Sequence, residues 1–251
     1  MAQQLPDDFY FSQSALKVFA HCPLKFKYRY LDGLFWPRDW GSDREQKKSL
    51  ERGNKFHLLA KRYYRNQTDL KQIYDEKLKL WFDSLLEFRA YDDSYDFLPE
   101  YELRINQDGR KILAKFDLLM VDDQQEKIII YDWKTGKKPL DKQKLIDNYQ
   151  STVYLYVLYS ALDYFEFERK LNIDDLVLIY WNPRFPARSV KIKYNKKMYQ
   201  AASQTIKSLI DKIKGLSYNE FNSISEKNRC GFCEYNVLCR EKSFLESEDF
   251  R

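Results

Sequence analysis

Glycine is scarce: seven residues in 251, at positions 33, 41, 53, 109, 136, 215 and 231. No two of them fit the GxGxxG or GxxxxGK(S/T) spacings, which excludes a Rossmann dinucleotide site and a P-loop ATP motor. Long apolar runs are missing too. Stretches such as Ile128-Ile129-Ile130-Tyr131 are far too short to cross a bilayer. The opening, Met1 to Asp8, has two acids and no apolar centre, so no secretory signal is expected. Collagen-like, disordered, membrane-spanning and secreted classes are set aside, and a cytoplasmic globular chain with no membrane partner is the expectation. Charge is only mildly unbalanced, 43 Lys and Arg against 38 Asp and Glu, a net +5. An ordinary solvated surface explains that as well as a polyanion partner does.

What is abundant is aromatic: 20 Tyr, 17 Phe and 5 Trp. Rings mixed with Lys and Arg suit single-stranded nucleic acid, where bases stack and cations hold phosphates. Most rings in any protein are core, so this is a hint only.

Periodicity divides the chain into helices, then strands, a helix, more strand and a last helix. Ser12 reads as the N-cap of a helix through Ala15, Leu16 and Phe19, interrupted near Cys22-Pro23 and resumed through Phe26, Tyr28 and Tyr30. Trp36 to Arg44 reads as a loop, followed by helices from about Gln46 to Arg65 and Leu70 to Arg89. Tyr101 to Ile105 and Lys111 to Val121 read as strands about a turn at Asn106 to Gly109. A second turn at Asp122 to Gln125 leads to a buried strand, Lys127 to Trp133. One long apolar helix is expected from about Lys142 to Phe165, then strands at Leu176–Trp181 and Val190–Tyr194 and a helix near Lys196–Lys214. With no repeat and no linker, a single domain over 1–251 is the simplest account: an α/β core with a central mixed sheet flanked by helices. Its parts are a helical region (31–95), a core (100–215), and terminal segments at 12–30 and 229–240.

Asp132-Trp133-Lys134 puts an acid and an amine on one face at the end of a strand. The Asp/Glu-x-Lys triplet starts five times, at Glu45, Asp69, Asp75, Asp132 and Glu168, so alone it means little. Only Asp132 follows an apolar strand. Centring the turn between Gln124 and Gln125 sets Asp117 across the hairpin from Asp132, and two carboxylates so close repel unless a cation lies between them. A solvent-facing Asp117 is the ordinary alternative. His57, between Phe56 and Leu58, reads by default as a core histidine, and Gln150 and Tyr154 share a helix face without indicating a role.

Taken in order, Gly53-x-x-x-His57, Lys115-Phe116-Asp117, Tyr131-Asp132-Trp133-Lys134 and Gln150-x-x-x-Tyr154 resemble the RecB-like branch of the PD-(D/E)XK nucleases. The opening from Phe11-Ser12-Gln13-Ser14-Ala15-Leu16 through Cys22-Pro23 to Tyr28-Arg29-Tyr30 is similar to the start of AddB-type and CRISPR-associated members. The resemblance implies that His57, Asp117, Asp132 and the Trp133 carbonyl hold Mg²⁺ or Mn²⁺. It makes Lys134 the catalytic lysine and Gln150 and Tyr154 a supporting helix motif in contact with DNA. Glu102 corresponds on this resemblance to an accessory acid. Where the family usually has glycine three residues before the hairpin acid, this chain has Ala114. An imidazole ligand tilts such a site towards Mn²⁺. The implied activity is hydrolysis of DNA, as a single-strand exonuclease acting in DNA processing, repair or CRISPR adaptation beside a helicase or integrase protein. A non-catalytic nucleic-acid-binding module is the rival class, and RNA as substrate uses the same residues.

All four cysteines fall into one set: Cys22, then Cys230-x-x-Cys233 and Cys239. Four thiols in a chain expected to be intracellular point to metal rather than disulfides, either Zn²⁺ or an iron–sulfur cluster. The resemblance implies a [4Fe–4S] cluster joining the two ends of the chain.

Overall fold

The computed structural model describes residues 5–34, 44–67, 73–167, 169–222, 230–231 and 233–239. Ser12 Oγ accepts from Ala15 N–H (3.2 Å) and caps helix α1, Gln13–His21. The chain turns at Cys22, and Pro23, whose fixed φ suits a first helical position, opens the short helix α2, Pro23–Phe26. That runs into a π-helical turn, Lys27–Leu31. Helix α3 spans Arg44–Tyr63 and α4 spans Glu76–Phe88, the latter capped by Asp75. The loop expected at Trp36 to Arg44 falls outside the described residues except for Arg44, which opens α3. The expected start of α4 at Leu70 also lies outside them.

Five strands follow: β1 Asp96–Gln107, β2 Arg110–Asp122, β3 Lys127–Trp133, β4 Leu176–Trp181 and β5 Ser189–Lys193. They form one mixed sheet in the order β1-β2-β3-β4-β5, antiparallel except for the parallel β3–β4 pair. The β3–β4 connection carries α5, Lys142–Ile146, and α6, Tyr149–Ser160. A single helix to Phe165 was the expectation. The break comes at Asn148, held extended (ψ 151°), whose side chain accepts from Ser151 N–H and restarts the helix. Because α6 is buried nearly all round, its sequence has no polar face to mark where it begins.

The sheet separates two apolar layers. On one face α1, α6 and α7 (Lys196–Gly215) cover Ile112, Ala114, Phe116, Ile130 and Leu178. On the other, α3 and α4 bring Phe56, Trp81, Phe82 and Leu85 onto Leu118, Met120, Tyr131, Trp133 and Trp181. Strand alternation slips once. Ile112, Ala114 and Phe116 face the α6 side, yet Leu118 and Met120 face α3 and α4. The slip lies opposite Glu100, which has a left-handed φ of 55° and makes no ladder rung between Pro99↔Leu118 and Tyr101↔Phe116. A local fault of this kind turns side chains that a regular strand would send elsewhere.

Candidate active site

The hairpin register places the two acids. Leu118 pairs with Tyr131 and Asp122 with Lys127, so the next rung sets Asp117 opposite Asp132. Asp132 closes β3 on the α6 side and is 1% exposed. Its Oδ2 accepts from Gln150 Nε2 (2.5 Å), and its Oδ1 lies 2.5 Å from Lys134 Nζ, an ion pair without hydrogen-bond geometry. Oδ1 is buried and has no hydrogen-bond partner. Burial first, then the Asp117 charge, push this carboxyl up to about 6 against the pull of Lys134 and His57.

Gln150 is the hub, because one amide serves three groups. It donates to Asp132 and Tyr154 Oη (2.9 Å), and its Oε1 accepts from Lys134 Nζ (2.7 Å). Tyr154 Oη in turn donates to the Lys115 carbonyl (2.7 Å), so the first turns of α6 are tied to β2 beside Asp117. Asp117 Oδ2 accepts from Trp133 N–H (2.8 Å), and its Oδ1 sits 3.3 Å from His57 Nδ1. Burial alone would lower the His57 pKa, but its hydrogen bond to Asp117 and the charges of Asp117 and Asp132 raise it. His57 is therefore no ordinary core histidine.

His57 reaches the sheet because α3 passes close to the end of β3. A Cβ on Gly53 would lie 2.6 Å from Thr135 Oγ1. Across that contact Arg184 donates to the Thr135 carbonyl (3.0 Å) and Ser49 Oγ (3.1 Å) and stacks 4.5 Å from the Trp81 ring. Asn182 donates to the Gly136 carbonyl (2.9 Å). These braces after β4 escaped sequence reasoning. The only signal was the polar Asn182-Pro183-Arg184 following an apolar strand.

Among the described residues, the group able to enclose a cation is His57, Glu100 and Asp117, with one donor atom each within 4.8 Å of the others. Glu102, the expected accessory acid, is not there. It pairs with Arg104 (2.7 Å) at the surface. Glu100 takes its place because of the slip described above, and it also holds Lys115 (2.6 Å). Asp132 stands beside this triangle rather than in it. Carboxylates with one imidazole, and a buried carboxylate oxygen without a hydrogen bond, fit Mg²⁺ or Mn²⁺.

A family model of the PD-(D/E)XK nuclease superfamily matches residues 10–96 and 82–240. The chain belongs to the PD-(D/E)XK nuclease superfamily. As such it is a nuclease by family, one whose members use divalent metals. No curated protein matches it. A solved structure described as a "putative exonuclease" from Eubacterium rectale superimposes with a TM-score of 0.53 at 14% identity, over 92% of this chain and 87% of that one. At that identity the likeness concerns the fold. SSO0001, 21% identical over 77% of this chain and 93% of its own, has a TM-score of 0.30 and adds no argument.

Cysteines from the two ends of the chain meet in a separate small cluster. Cys22, Cys233 and Cys239 pack around Leu24, Tyr28 and Tyr235. Burial, opposed by the Lys25 N–H and joined by repulsion from Cys233 and Cys230, raises the Cys22 thiol. Glu234 fixes this C-terminal segment through Lys25 (2.6 Å) and Arg29 (3.8 Å), and Tyr235 Oη donates to the Leu34 carbonyl.

Proposed function

We propose that the protein is a metal-dependent deoxyribonuclease acting on single-stranded DNA from an end. The observation that carries the reading is Asp132: a buried carboxylate that faces a second carboxylate across the hairpin and has Lys134 at one oxygen. Two carboxylates this close repel and burial adds to the cost, which a single lysine offsets only in part. A cation held between them would offset the rest.

In this reading Asp117, Asp132, His57 and the Trp133 carbonyl hold Mg²⁺ or Mn²⁺, with Glu100 as a further carboxylate. Such an ion supplies a hydroxide near neutral pH and offsets charge on the phosphate. Lys134 Nζ lies between Asp132 Oδ1 and the Gln150 side-chain carbonyl, placed to donate to water or to a phosphate oxygen. Gln150 holds Lys134 and Asp132 together, and Tyr154 locks Gln150 to β2. In the same reading Cys22, Cys230, Cys233 and Cys239 hold a [4Fe–4S] cluster that joins the chain ends. The packing of Cys22 with Cys233 and Cys239 in one small cluster supports a group shared by both chain ends. End-directed cutting follows the exonuclease description of the E. rectale protein and the resemblance to AddB-type nucleases. Work in DNA processing, repair or CRISPR adaptation would pair the protein with a helicase or integrase.

The test is cleavage of end-labelled single- and double-stranded DNA with Mn²⁺ or Mg²⁺, comparing wild type with Lys134→Ala. The expected result is metal-dependent shortening from an end of the single strand, reduced about 100-fold or more in the variant. No cleavage of DNA or RNA by wild type would make the protein a binding module. Equal cleavage by both proteins would move the active site elsewhere.

A further inference from the structure

Three groups meet Lys134 Nζ: the Asp132 carboxylate, the Gln150 carbonyl and the face of Tyr180, whose ring centre is 5.1 Å away. We propose that Tyr180 is a positioning residue, which aims the Lys134 ammonium through a cation–π contact and anchors the start of α6 through its hydroxyl. The inference rests on Lys134 acting in cleavage.

Tyr180 is the register partner of Asp132 on the parallel neighbour β4, so both side chains leave the sheet on the same face. It is 0% exposed and cannot touch DNA. An ammonium within about 6 Å of a tyrosine ring is attracted by the ring's negative face. The ring carries no charge and takes no proton, so it fixes Nζ without competing for the lysine's proton. Asp132 is different. A cation drawn to that carboxylate would compete with Lys134 for it, whereas the Tyr180 contact would stay.

The hydroxyl fixes the ring. Tyr180 Oη lies 2.9 Å from Ser151 Oγ, and Ser151 Oγ donates to the Leu145 carbonyl. Ser151 is 1% exposed, one residue after Gln150 and in the capped first turn of α6. The same tyrosine thus ties the turn carrying Gln150 to the strand beside Asp132. Lys134 N–H also donates to the Trp181 carbonyl (2.7 Å), so the backbone and the side chain of the lysine are both set by β4.

The experiment compares wild type, Lys134→Ala, Tyr180→Phe, Tyr180→Leu and Tyr180→Met for kcat and KM on end-labelled single-stranded DNA with Mn²⁺. Tm and the Mn²⁺ concentration giving half-maximal rate are measured alongside. Phenylalanine keeps the ring face and should stay within about threefold of wild-type kcat. Leucine and methionine fill the space without a ring and should lower kcat about tenfold, from the usual strength of such contacts. KM and the Mn²⁺ midpoint should remain within about twofold, since Tyr180 touches neither DNA nor the carboxylate triangle. Unchanged kcat in Tyr180→Leu and Tyr180→Met would overturn the inference. Equal losses in Tyr180→Phe and Tyr180→Leu would overturn the cation–π role and leave only the hydroxyl anchor, and losses that follow Tm would overturn both. If wild type fails to cut, or Lys134→Ala cuts as well as wild type, the proposed active site fails first and this inference with it.

Discussion

Glu100 is a glutamate in a backbone conformation that non-glycine residues rarely adopt, and nothing in local turn chemistry asks for it. It lies inside a strand, not in a hairpin loop. Such strain costs on the order of 1–3 kcal/mol and is retained where geometry is used. Here it delivers a carboxylate to His57 and Asp117. Glu100→Gln should therefore reduce metal-dependent cleavage about 10–100-fold, the range for groups that set metal affinity, and raise the Mn²⁺ needed for half-maximal rate. Glu102→Gln, two residues away and paired with Arg104 at the surface, should cut like wild type. Equal behaviour of the two variants would remove Glu100 from the site. Sequence reasoning could place Asp117 and Asp132 because a hairpin with a centred turn has one register, and the structure keeps it. The resemblance pointed to Glu102, and in a regular strand Glu100 and Glu102 would share a face, so nothing in the pattern favoured Glu100. The slip at Glu100 depends on a single φ angle that no residue type announces, as glycine would have done.

One contact between elements decides whether α3 can bring His57 to the sheet. Gly53 lies in the middle of a 20-residue helix, where glycine costs about 1 kcal/mol relative to alanine. A methyl group there would meet Thr135 Oγ1 at 2.6 Å, with Arg184 and Asn182 fixing the backbone behind it. Gly53→Ala gains helix propensity while forcing α3 and the end of β3 apart, so stability should hardly change while geometry does. A displacement of a few tenths of an ångström between His57 and Asp117 should lower kcat about tenfold, with Tm within roughly 3 °C of wild type. Gly53→Ala combined with Thr135→Ala should recover most of that rate, because the next atom, Thr135 Cβ, is 3.5 Å away in ordinary contact. A double variant as slow as Gly53→Ala would show that the contact is not steric. The Gly53-x-x-x-His57 spacing was visible in the sequence. Its reason was not, since Thr135 is 82 positions away and no local pattern links the two. The α5–α6 break has a slight local mark, the polar pair Asp147-Asn148, which a helical pattern also tolerates; the Asn148 side chain caps the restart.

At the scale of the whole molecule, the segment around Cys22 meets the one from Cys230 to Cys239, closing about 200 residues between them. Loop-closure scaling puts the cost of bringing such distant segments together at roughly 5 kcal/mol. Among the described residues the protein contacts at that junction include a small apolar cluster of Leu24, Tyr28 and Tyr235, Glu234 between Lys25 and Arg29, and the Tyr235 hydrogen bond to Leu34. Partly exposed ion pairs contribute about 1 kcal/mol or less each. In the proposed reading a group bound by the four thiolates would offset the rest, because its binding free energy would also be folding free energy. Protein purified without oxygen should be brown and contain iron and sulfide in equal amounts, as a [4Fe–4S] cluster requires. Cys22→Ser should lose the colour and melt at least about 6 °C lower, whereas Lys134→Ala, which touches none of the cysteines, should keep the colour. Colourless protein holding zinc would keep the staple and replace the cluster. A Cys22→Ser protein that holds no metal yet melts like wild type would show that protein contacts alone close the junction.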